Sequence, residues 1–140
     1  VGPSANTGAQ TADAVPPTGL DKRGWPMPES LGRIAQLCVE HYSSVITDCR
    51  LYGFCLTIRR SAWESLGGFN EEFPLYGAED DFRARAVARG LRAVCARDAY
   101  CWHRGEASAR YAAGRGLMDV EAEREKGRAL FAERHHGGSK

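Results

Sequence analysis

No run of apolar residues in this chain approaches membrane-spanning length, which excludes a transmembrane helix as a reading of the sequence. No block of one charge sign stands out: 19 basic residues are interspersed with 18 acidic ones, for a formal net charge of +1. That balance removes the usual electrostatic reason to expect nucleic acid or an acidic lipid surface as partner. The five cysteines are odd in number and none forms a CxxC pair. A disulfide framework is therefore not expected, and a reducing compartment suits the chain better. A zinc site would have to recruit Cys95, Cys101 and His103, without the paired short spacing typical of structural zinc. The simpler reading makes the cysteines small buried hydrophobes. The N-terminus has neither an initiator Met nor a charged segment followed by an apolar stretch; a signal peptide is not expected, and a fragment or processed chain is.

What is present is one domain's worth of ordinary globular composition, 140 residues at 43% hydrophobic. Residues 1–28 are rich in Gly, Pro, Ser, Thr and Ala with no sustained period, and read as an irregular, loosely attached linker. "PESLGRIAQLCVEHYSS" carries Leu31, Ile34, Leu37, Cys38 and Tyr42 at helical spacing, opened by good first-turn residues. "SVITDCRLYGFCLTIRR" predicts one or two strands, the second near Gly53 to Arg59. "SAWESLGG" predicts a short helix with Ser61 as N-cap, Glu64 completing a capping box, and Gly67–Gly68 as the stop. "FNEEFPLYG" is a loop. A helix from about Glu79 to Arg89 would pack Ala84, Val87, Ala88 and Leu91 on one face. "LRAVCARD" and "AYCWHRG" predict a strand, a turn and a short strand. The chain from Ala107 is expected to be helical, anchored by Leu117, Val120, Leu130 and Phe131, and to end in a frayed "HHGGSK" tail. Gly114, Gly116 and Gly127 each weaken that helix by about 1 kcal/mol relative to Ala.

The chemistry-bearing stretch is "FPLYGAEDDFRARAVARG", with Glu79, Asp80 and Asp81 in a row ahead of Arg83, Arg85 and Arg89. Carboxylates in the first turn complement the helix dipole, and Glu79–Arg83 and Asp81–Arg85 are i,i+4 pairs in the favourable order. A capped, solvated helix start would explain these residues without any catalysis. Equally, a helix N-terminus behind a Gly-containing aromatic loop keeps a carboxylate ionised, as a general base requires.

Over Gly53–Gly105 the order of pieces resembles the family 2 glycosyltransferases of the GT-A fold. The pieces are a Gly-aromatic strand ending in Arg59 and Arg60, a short helix, "LGGFNEEF", an aromatic loop, "GAEDD" opening a helix with a later Arg, a strand and His103. "VGPSANTGAQ" is similar to the stretch lying between the two halves of many members. The resemblance implies an α/β fold, a partial GT-A (nucleotide-diphospho-sugar transferase) domain with a small mixed open sheet flanked by two or three helices. In these terms residues 1–28 are the linker from the missing N-terminal half, 29–106 the C-terminal half of the GT-A domain, and 107–140 a helical segment and tail.

The same resemblance implies an inverting transfer of a sugar from a nucleotide-sugar donor to a glycan or lipid-linked acceptor hydroxyl. Asp80 is the first choice as general base and Glu79 its neighbour. Counting back from Gly90 shifts the register by one and brings in Asp81. Arg85, Gly53, Tyr76, Gly77 and Trp102 are the implied substrate contacts. Phe73, Tyr76 and Trp102 offer faces that pack on sugar C–H surfaces, and serve as well in a core. His103 is the implied metal ligand for Mn2+ or Mg2+. No Asp-x-Asp motif occurs in the chain. The divalent cation is thus expected only with an N-terminal half-domain that supplies it, and the chain alone is expected to be inactive, with a cytoplasmic location, at most peripheral to the inner membrane face. The alternative is a non-catalytic half-domain that serves as a binding or docking module.

Overall fold

The computed structural model describes residues 2–5, 28–41, 45–47, 50–73, 75–103 and 106–136. The chain divides into two compact units, Val1–Thr57 with Ala93–Gly105, and Ile58–Arg92 with Glu106–Lys140. The fold is mixed α/β.

The first unit holds a three-stranded sheet built around β3 (Val94–Cys101). β1 (Gly2–Ala5) pairs with it in parallel and β2 (Val45–Thr47) antiparallel, in the order β1-β3-β2. α1 (Pro28–His41) packs on β3. Ile34 and Cys38, four residues apart and so on one face of α1, are buried, as is Cys95 of β3. The helical stripe read from the sequence is thus narrower than expected: Leu37 stands at its exposed edge, and Tyr42 lies outside the described residues.

Three expectations change here. Gly2–Ala5 are a strand rather than linker, because the paired β3 backbone gives them hydrogen-bond partners. Pro3, which cannot donate to a ladder, is tolerated because β1 is an edge strand. Gly53–Arg59 are turn and coil, not strand, since among the described residues the sheet places no strand beside them. The strand–turn–strand expected after Leu91 is one strand with a register break: Pro3 faces Ala96, yet Ser4 faces Tyr100. Arg97, Asp98 and Ala99, where a turn was expected, form that irregularity, and pairing with β1 on both sides of it keeps the strand whole. Among the described residues the remaining four helices belong to the second unit, so only α1 accompanies the sheet in the first.

The second unit is helical: α2 (Arg60–Leu66), α3 (Ala78–Ala88), α4 (Ala107–Gly114) and α5 (Val120–His136). Gly67 ends α2 as the sequence requires, but Arg59, not Ser61, is its N-cap, and no side chain caps it. Trp63, Phe69 and Phe82 form an aromatic triangle with ring centroids 5.1, 5.8 and 5.5 Å apart. That triangle sets the rotation of α3. Phe82 buries far more apolar area than any alanine, so α3 turns Phe82, Asp81 and Ala86 inward and leaves Val87 43% exposed. The Ala84–Val87–Ala88–Leu91 face expected from the sequence is therefore not the packing face. Similarly Leu117, expected as an anchor, is 74% exposed. It lies in the break between α4 and α5, after Gly114 and Gly116. His135 and His136 are helical rather than part of a frayed tail. No helix among the described residues is long and apolar enough to cross a membrane.

Phe82→Ala is expected to cost about 3–5 kcal/mol, as for other large-to-small core changes. Val87→Ala should stay within about 0.5 kcal/mol, as surface changes do. Urea unfolding of both variants checks the assignment of the packing face.

Candidate functional site

The acidic run opens α3. Gly77 is its N-cap, with φ 95°, a left-handed conformation that side chains rarely adopt. The Gly77 carbonyl accepts the Asp81 amide at 2.9 Å and starts the helix. Glu79 and Asp80 are half-buried in the first turn, while Asp81 points inward and is 2% exposed. Its two oxygens have separate partners. Arg85 Nε donates to Oδ2 at 2.8 Å, and His135 Nε2 lies 2.9 Å from Oδ1. Arg85 has further bonds: its Nη1 and Nη2 donate to the carbonyls of Leu66 and Gly68 at 2.6 and 2.9 Å. Its guanidinium also lies 5.4 Å from the Phe82 ring centroid. Asp81 and Arg85 thus tie the start of α3 to the end of α2, and His135, its ring tilted against Phe131 with centroids 4.6 Å apart, ties it to the C-terminal end of α5.

α5 holds the loop before α3 at further points. The buried Gly127 lies directly against Tyr76, where an added Cβ would stand 2.2 Å from the Tyr76 carbonyl oxygen. Arg124 sits 5.2 Å from the Tyr76 ring centroid and pairs with Glu106, whose hydrogen bond pushes the guanidinium further above its ordinary range. Arg134 pairs with Glu72. Phe73 is buried under Gly77, so it belongs to the core and not to an open aromatic surface.

A cleft of about 450 Å³ opens on this assembly. Its lining includes Asn70, Glu71 and Glu72 from the loop after α2, Arg134 from α5, and the Asp81–Arg85 pair. Glu79, Asp80, Tyr76 and Gly77 lie in the same unit but do not line it. Gly53, Trp102 and His103 belong to the other unit. Gly53 is in a turn, Trp102 is half-buried, and His103 stacks on Phe54 with centroids 4.5 Å apart. Among the described residues no group of three or more His, Cys, Asp or Glu side chains is placed to hold a metal ion.

The sequence reading missed His135, Arg134, Arg124 and Gly127. The histidine and its neighbour looked like tail, and nothing local connects them to residues more than fifty positions earlier. Gly127 carried the one signal: a glycine inside an otherwise good helix marks a close backbone approach.

Part of the chain is similar to the O-antigen biosynthesis protein RfbC of Myxococcus xanthus, at 41% identity over 56 residues. The match covers 40% of this chain and 4% of that protein. No protein-family model matches the chain, and no solved structure matches it.

Removing one partner of the buried Asp81 pair strands the other charges. Asp81→Ala is accordingly expected to destabilise by about 3–5 kcal/mol. Gly127→Ala, which forces a methyl against the Tyr76 backbone, should cost about 1–3 kcal/mol. Chemical denaturation of both variants, with the surface change Val87→Ala as a near-neutral control, checks these structural roles.

Proposed function

We propose that this chain is the acceptor-side part of a sugar-transferring enzyme resembling the inverting family 2 glycosyltransferases, with Asp80 as its general base. The observation that carries the choice of residue is the unequal fate of the two aspartates. Asp81 is buried between Arg85 and His135, whereas Asp80 is half-buried at the start of the helix and keeps part of its surface in solvent. A base must lie within reach of the hydroxyl proton that it removes. The reading is supported by the ordered motifs from Gly53 to Gly105 and by the similarity to an O-antigen biosynthesis protein.

In this mechanism Asp80 takes the proton of the acceptor hydroxyl as its oxygen attacks the anomeric carbon of the nucleotide sugar. The nucleoside diphosphate leaves from the opposite face, inverting that carbon. Arg85 is then a positioning residue: its donors hold Asp81 and the end of α2, and through them the orientation of the first turn of α3. A divalent cation, Mn2+ or Mg2+, would neutralise the diphosphate of the donor. His103 is this chain's candidate ligand, with carboxylates contributed by an Asp-x-Asp half-domain.

In a polypeptide that carries the upstream half, Asp80→Asn is expected to lower transfer by about 10²–10⁴-fold, the usual worth of a general base, with donor binding nearly unchanged. Asp81→Asn should lower stability first. Transfer that survives Asp80→Asn but is lost in a folded Asp81→Asn protein would move the role to Asp81; transfer that survives both would end the proposal. Calorimetric titration with UDP and Mn2+ supplies the binding arm. Uptake is expected only when the upstream half is present, and uptake by the chain alone would contradict the half-domain reading.

A further inference from the structure

Outside the acidic run, one cluster of reactive side chains stands in the first unit. The Phe54 and His103 rings lie face to face, their planes 15° apart. This stack sets the segment after Gly53 alongside the end of β3. Cys55 directly follows Phe54 and Cys101 lies two residues before His103, so the stack brings the two cysteines near one another. Neither is in a disulfide and both are half-exposed, whereas Cys38 and Cys95, also outside any disulfide, are buried. The Cys101 sulfur also lies 3.9 Å from the Trp102 carbonyl oxygen, on the rim of the sheet.

We propose that Cys55 and Cys101 are a peroxide-oxidisable dithiol, a reversible modification site that links the 53–57 turn to the end of β3. The Phe54–His103 stack fixes the two cysteine-bearing segments side by side, and a disulfide requires their sulfurs to close to about 2.05 Å. Among the described residues the turn that carries Cys55 has no strand ladder to hold it, so it can follow that closure. Burial, and then the neighbouring Cys55, push the Cys101 thiol above its ordinary range. The thiolate of one cysteine bonds to one oxygen of hydrogen peroxide as the O–O bond breaks, leaving a sulfenic acid and, after proton uptake, water. The other cysteine's sulfur then attacks that sulfur. The S–O bond breaks, and hydroxide leaves with the second thiol's proton as a second water. Two thiols and one peroxide thus give one disulfide and two waters. Thiol exchange with dithiothreitol restores the dithiol.

The test treats the native full chain with hydrogen peroxide, alkylates the remaining thiols, and maps the peptides by mass spectrometry. A Cys55–Cys101 cross-linked peptide is expected, lighter by two hydrogens, recovered as two free thiols after dithiothreitol, and absent from both Cys55→Ser and Cys101→Ser. Oxidation of either residue to sulfinic acid without a cross-link would overturn the proposal, as would cross-linking of either one to a different cysteine. Because the mapping is done on the unaltered chain, the answer does not depend on whether a variant folds.

Discussion

The Asp81 carboxylate is the point on which the second unit turns. A buried carboxylate loses its hydration, and the loss is tolerable only when its oxygens find partners of good geometry. Here one oxygen takes the guanidinium of Arg85 and the other the imidazole of His135. Arg85 carries the connection onward to two carbonyls at the end of α2, and His135 carries it to α5. Three helices are thus fixed around a single side chain. The aromatic triangle of Trp63, Phe69 and Phe82 supplies the apolar mass beside it.

This arrangement divides the acidic run by function. The run looks uniform in sequence, yet its third member is consumed in holding the unit together while the first two stay at the helix mouth. The dipole of α3 and the free amides of its first turn favour negative charge there. The backbone that aims the run depends in turn on Gly77, which can take the required positive φ, and on Gly127, which lets α5 press against the Tyr76 carbonyl. The first turn of α3 therefore rests on a scaffold whose parts lie up to the far end of the chain.

The first unit follows a different logic. β3 has partners on both sides and is its centre; the outer strands are short, and among the described residues each is paired along one edge only. The buried cysteines Cys38 and Cys95 behave as small apolar side chains, while Cys55 and Cys101 lie on the rim, where chemistry can reach them. Cys49 lies outside the described residues.

Local signals in the sequence determined α1, the stop at Gly67, the helix opened by the acidic run, and the pairing of Asp81 with Arg85, because each depends on residues within a turn or two of one another. The order of motifs that resembles a glycosyltransferase was also legible, since it is a property of the chain alone. Tertiary structure decided the rest. The packing face of α3 was set by aromatic partners on neighbouring segments, which outweigh its own weak apolar pattern. Gly53–Arg59 have strand-forming side chains, but among the described residues the sheet gives them no neighbour, and a strand exists only through its pairing. His135 became a partner of Asp81 across 54 residues because folding brought the end of α5 to the start of α3, and no local pattern encodes a contact between residues that far apart.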